Sequence, residues 1–118
     1  VEMARRDTRE KQSVAMEGLE NTIARMLEEI QNNLLARARE YKENRTKVVN
    51  SKAEFEQVME EGGFALAHWD GSGDTEEKIK EEYKATIRCI PLNNTLEDGT
   101  CFYSGKPSRQ RVVFARAY

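Results

Sequence analysis

Three side chains open to nucleophilic or metal chemistry stand out at once: one histidine, His68, and two cysteines, Cys89 and Cys101. The stretch CFYSGKPS, residues 101–108, reads like half of a metal knuckle, a Cys, two residues, a small polar residue and then a Gly turn. A structural zinc needs four nitrogen or sulfur ligands, and two thiols and one imidazole fall short of that number. His68 with either cysteine would be the minimum for a thiol enzyme. Cys89, however, sits between Arg88 and Ile90 on an apparent strand, and His68 with Trp69 ends another, so all three read as ordinary sheet residues. The glycine-rich DGSGD at 70–74 precedes a helix, where backbone amides attract anions. It lacks the lysine of a phosphate loop and the glycine spacing of a dinucleotide fold. Asp70 and Asp74 would also bring negative charge to the place a phosphate needs, so this segment reads as a tight loop with a helix cap. Arg5, Arg6, Arg9 and Lys11 form one basic patch and Arg109, Arg111 and Arg116 another. The first is the better candidate for RNA contact.

The surrounding elements must carry these residues. The 118 residues suffice for one ordinary domain, or a small domain with an appended element. Nineteen basic against 21 acidic side chains leave a net charge of −2, which argues against a stand-alone protein that binds by covering phosphates. No apolar run reaches the roughly 20 residues of a membrane span, and no secretory leader is evident, so a cytoplasmic protein with reduced thiols is expected. Because the first residue is Val1, the sequence is expected to begin inside a longer chain.

Residues 1–16 read as a short β-like stretch and a charged turn. From Leu19 to Tyr41, apolar residues recur every three or four positions, which predicts a long amphipathic helix. A turn and a short strand follow through KENRTKVVN. Ser51 with Glu54 marks a helix start and Gly62-Gly63 its end. FALAHW (64–69) predicts a strand. Asp74 with Glu77 suggests a second cap, for a helix through Lys84, and ATIRCIPL, TCFY and RVVFARAY predict three more strands. The order implies a two-layer α/β (α+β) unit, a small mixed sheet with helices on one face behind the long N-terminal helix.

Taken together and in order, ARRDTREKQSV, MLEEIQNNLLARA, GGFALAHWDG, EEKIKEE, KATIRCIPL, CFYSGKPS and RVVFARAY resemble the C-terminal end of prolyl-tRNA synthetase of the archaeal/eukaryote-like type. The resemblance implies that residues 1–16 are the last strand and turn of the anticodon-binding domain and 17–46 a connecting helix. It also implies that 47–118 are the extra C-terminal domain, similar in fold to the C-terminal domain of translation initiation factor 3. The full-length enzyme of this family is a class II ligase that joins proline to tRNA(Pro) with ATP and Mg²⁺, and its catalytic motifs lie upstream. This region is then non-catalytic, a structural and tRNA-side part of a homodimeric enzyme. The alternative is a stand-alone RNA-binding or protein-interaction module.

Residue by residue, the family's four zinc cysteines correspond here to Asp70, Thr75, Cys101 and Ser104. Only one thiol remains, so zinc is expected to be absent, with hydrogen bonds holding the loops instead: Asp70 accepting from its own turn, Thr75 or Asp74 capping the helix, Ser104 bonding across. The resemblance further implies that the carboxylate of Tyr118 approaches the catalytic domain, and it makes Arg5 and Arg6 candidates for tRNA contact.

Overall fold

The computed structural model describes residues 1–117, which divide into two compact units, Val1–Glu43 and a second from Asn44 onward. Tyr118 lies outside the described residues.

In the first unit, strand β1 (Glu2–Ala4) pairs antiparallel with β2 (Lys11–Ser13). The sequence suggested one strand and a turn. The second strand, KQS, is polar and exposed throughout, so no alternation marks it. The connecting turn closes through Arg5 N–H to the Glu10 carbonyl and Arg9 N–H to the Arg5 carbonyl, with Arg9 in the left-handed region (φ 65°). Helix α1 runs from Leu19 to Arg45. It continues past Tyr41 because Lys42, Glu43, Asn44 and Arg45 contain no helix breaker. It then passes directly into β3 (Thr46–Val49), without the turn expected there.

The second unit is built on a four-stranded mixed sheet in the order β3-β4-β8-β5. Strand β3 runs parallel to β4 (Phe64–His68), and α2 (Lys52–Glu61) makes the crossover. Ser51 caps α2 by accepting from Glu54 N–H at 3.3 Å, and the Glu54 carboxylate accepts from Asn50 N–H at 2.7 Å. These are the two halves of a capping box, the second displaced by one residue. Gly62 ends α2 at φ 73°, a conformation that a side chain disfavours. At Gly63 a Cβ would lie 2.7 Å from the Arg45 carbonyl oxygen, so only hydrogen fits where the chain re-enters the sheet.

Helix α3 (Gly73–Tyr83) returns the chain to β5 (Ala85–Cys89). A two-stranded ribbon follows, β6 (Gly99–Thr100) with β7 (Pro107–Ser108), and then β8 (Arg111–Arg116) inserts antiparallel between β4 and β5. TCFY is therefore not a strand. Cys101–Ser104 turn inward instead, because Phe102 stacks on Phe55 with ring centroids 4.3 Å apart and planes at 21°.

Burial alternates along the inner strands as the pleat requires. Ala65 and Ala67 of β4 and Val112 and Phe114 of β8 form one cluster with Phe55, Val58 and Met59 of α2 and Ile79 of α3. Phe55 is the centre of that cluster, fully buried and edge-on to Tyr83 (5.2 Å) and Phe114 (5.4 Å) as well as stacked on Phe102.

Candidate functional site

Beyond the carboxyl end of β4 the chain turns sharply into α3, and Asp70 stands in that turn. Its Oδ1 accepts from the amide of Ser72 at 3.0 Å, the signature of an Asx turn. Its Oδ2 accepts from two hydroxyls, Thr75 Oγ1 at 2.9 Å and Ser104 Oγ at 2.6 Å. Thr75 lies in the first turn of α3 and is buried. Ser104 lies 34 positions away along the chain, in the turn between β6 and β7. One carboxylate thus ties the start of α3 to a second turn.

That second turn is closed internally. The amide of Ser104 donates to Cys101 Sγ at 3.5 Å, Gly105 N–H to the Cys101 carbonyl at 3.0 Å, and Cys101 N–H to the Lys106 carbonyl at 2.8 Å. Gly105 takes φ 72°, the left-handed region. Burial raises the pKa of Asp70, but the donors Ser104, Ser72 N–H and Thr75, with the charge of Lys106, together outweigh it and hold the group below the usual carboxylate value.

Asp70, Thr75, Cys101 and Ser104, named as a set by the family resemblance, lie together in these two turns. The expected helix cap differs in detail. Ser72 occupies the N-cap position of α3 without a side-chain cap bond, Asp74 lies inside the first turn, and Thr75 donates to Asp70. The cap signature of Asp74 with Glu77 has no counterpart, because the turn geometry is fixed from Asp70.

A second polar cluster escaped sequence reasoning. The Arg111 guanidinium donates to both oxygens of Glu97 (3.3 Å each), to Asn50 Oδ1 (2.8 Å), and to the carbonyls of Val49 (3.2 Å) and Leu66 (3.5 Å). By sequence, Arg111 belonged to a surface basic patch; in the fold it clamps the loop after β5 to the ends of β3 and β4. Its hydrogen bonds, and then its charge, lower the pKa of the Glu97 carboxyl from the ordinary value. Beside it, the buried His68 ring places Nδ1 3.0 Å from Ser108 Oγ. The Ser108 Oγ also lies within hydrogen-bond reach of the Trp69 carbonyl (2.7 Å) and the Gln110 carbonyl (3.0 Å). Nε2 makes no hydrogen bond and faces Glu97 Oε1 at 3.7 Å. Cys89 is exposed and Cys101 buried, both as free thiols.

In the first unit, Arg5 donates to both oxygens of Asp7 (3.2 and 3.0 Å) and to Glu29 of α1 (2.9 Å). Asn33 donates to the same Asp7 carboxylate at 2.7 Å. This network fastens the hairpin turn to the helix and engages Arg5 internally, while Arg6 is exposed. The position of Tyr118 falls outside the described residues.

Against known families, residues 52–118 match the family model described as "Prolyl-tRNA synthetase, C-terminal". The chain belongs to that family. Proline--tRNA ligase of Porphyromonas gingivalis is 53% identical over 118 residues, covering all of this chain and 24% of the relative. Proline--tRNA ligase of Cytophaga hutchinsonii is 57% identical over 119 residues, with the same coverage. Among solved structures, prolyl-tRNA synthetase from Cryptosporidium parvum, complexed with halofuginone and AMPPNP, aligns with a TM-score of 0.89 and 26% identity over 99% of this chain. The chain spans about a quarter of the length of these relatives.

The family's zinc, as implied by the resemblance, finds a donor set here that does not suit it. Both hydroxyls spend their protons on Asp70, and the one thiol accepts from an amide within its own turn. One carboxylate, one thiol and two protonated hydroxyls do not make the four N or S ligands of a structural site. Among the described residues, no three His, Cys, Asp or Glu side chains converge as a metal-binding group, and no helix is long and apolar enough to cross a membrane.

Proposed function

We propose that this chain is the C-terminal part of a proline--tRNA ligase, which joins proline to tRNA(Pro) in the cytoplasm at the expense of ATP, with Mg²⁺. The region itself does not catalyse. It serves as a structural, tRNA-side element of a homodimeric enzyme. The observation that carries this reading is identity above 50% along the whole chain to ligases about four times as long. What the described residues offer is a stiff sheet with two tied turns, an arrangement suited to holding a shape rather than to moving protons.

Within this reading Tyr118 approaches the catalytic domain, and Arg6 is the better tRNA contact of the two arginines, since Arg5 is already ion-paired with Asp7 and Glu29. Aminoacylation of tRNA(Pro) by the full-length protein is the test. The full-length protein should charge the tRNA with proline, the 118-residue chain alone should catalyse no proline-dependent ATP–pyrophosphate exchange, and deletion of Tyr118 should lower charging. Arg6→Ala should raise the KM for tRNA. A full-length protein unable to charge tRNA with proline refutes the reading.

A further inference from the structure

We propose that Asp70, Thr75, Cys101 and Ser104 form a metal-independent cross-link in which the Asp70 carboxylate occupies the centre that a cation would otherwise hold, and that this place does not accept zinc. The polarity of the site is inverted relative to a metal knuckle. In a metal site, electron-pair donors point at a positive centre. Here proton donors point at a negative one: Ser72 N–H on Oδ1, and the Thr75 and Ser104 hydroxyls on Oδ2.

Each donor comes from a different part of the two turns, so the carboxylate fixes the same relation a four-ligand ion would fix. Ser104 does double duty. It donates to Asp70 at 2.6 Å while its Oγ accepts from Lys106 N–H at 3.3 Å, which closes its own turn. Cys101, buried at 2% exposure, takes the Ser104 amide on sulfur and packs beneath the turn as a small apolar side chain. A zinc ion entering here would have to displace both hydroxyl protons from the carboxylate and ionise a buried thiol, and would gain one thiolate and one carboxylate. The one imidazole, His68, belongs to a separate cluster: its Nδ1 meets Ser108 and its Nε2 faces Glu97.

The proposal rests on this geometry and not on the activity of the whole enzyme, so its failure would leave the ligase reading standing. Protein purified from zinc-supplemented medium should carry fewer than about 0.1 zinc atoms per chain by elemental analysis, and its thermal midpoint should be unmoved by EDTA or by added zinc. Stoichiometric zinc, or a midpoint that falls with the chelator, overturns the proposal. Asp70→Asn keeps one acceptor oxygen but offers an NH₂ where the hydroxyls now donate. It should lower the midpoint by about 5–15 °C, the loss of one to two charge-assisted hydrogen bonds in a small domain, and an unchanged midpoint overturns the proposal. In the converse variant, Asp70→Cys with Thr75→Cys and Ser104→Cys, the two turns should take up one zinc per chain and melt higher with zinc than without. A folded triple variant that ignores zinc overturns the claim that the turns hold the geometry of an ion site.

Discussion

Gly99 is the position where one added carbon should reveal how the histidine and its strand ribbon depend on each other. A Cβ built there falls 2.3 Å from His68 Nε2 and 2.6 Å from both Cδ2 and Cε1. The backbone of Gly99 is not in the left-handed region, so Gly99→Ala is not opposed by its own φ and its cost is collision alone. Two escapes exist. The ring can move, which breaks the 3.0 Å bond to Ser108 and strands a buried polar group, at about 1–3 kcal/mol. Alternatively β6 can lift, which breaks the Gly99↔Ser108 pair of the ribbon at a similar overpacking cost of about 1–3 kcal/mol. With either route dominant, and the other partly engaged, the expected loss is about 3 kcal/mol. That corresponds to roughly 12–24 °C in thermal midpoint for a domain of this size. Urea unfolding of four proteins closes the cycle: wild type, Gly99→Ala, His68→Ala and the double variant. Removing the ring vacates the space the methyl needs, so Gly99→Ala should cost less than about 1 kcal/mol in the His68→Ala background, a coupling of at least about 2 kcal/mol. Additive losses within about 0.5 kcal/mol would show that the methyl does not meet the ring, and the packing described here would be wrong.

Two further perturbations follow from the same contacts. Phe55→Ala removes the ring at the centre of the core, stacked on Phe102 and edge-on to Tyr83 and Phe114, and should cost about 3–5 kcal/mol in urea unfolding; a loss below about 1 kcal/mol would contradict that central position. The carboxyl of Asp7 is held well below the usual range, first by the Arg5 guanidinium and then by the Asn33 amide. A folded pKa below the unfolded value near 3.9 means that its stabilisation is complete at neutral pH and is lost as pH falls below about 4 towards the folded value. A carboxyl ¹³C NMR titration should find Asp7 still ionised at about pH 3, and Asp7→Asn should abolish this part of the acid sensitivity; an ordinary midpoint near 4 would rule out the tie between hairpin and helix.

Local rules predicted local features well. Ser51 with Glu54, Gly62-Gly63, and the strands in FALAH and RVVFA each follow from preferences acting within a few residues, and each appears where expected. The four positions around Asp70 were legible as a set only through the family resemblance, since nothing local couples residues 34 apart. The misreadings have related causes. TCFY has strand-like residues, yet Phe102 is drawn inward by Phe55 on another element. Asp74 carries a cap signature, but Asp70 sets the turn first. Arg111 looks like a solvated cation because its partners, Glu97, Asn50 and two carbonyls, lie 14 to 62 positions away. For TCFY and Arg111 a distant contact outweighs the local preference, and for Asp74 a neighbour in the same turn does.

The sheet order has a bearing on biosynthesis. Residues 111–116 fill the gap between β4 and β5, and both neighbours hydrogen-bond to them. While the ribosome is still adding residue 110, two apolar strands already made have no partner on their facing edges. A chain that stops short of residues 111–116 leaves those edges open to pairing with other chains.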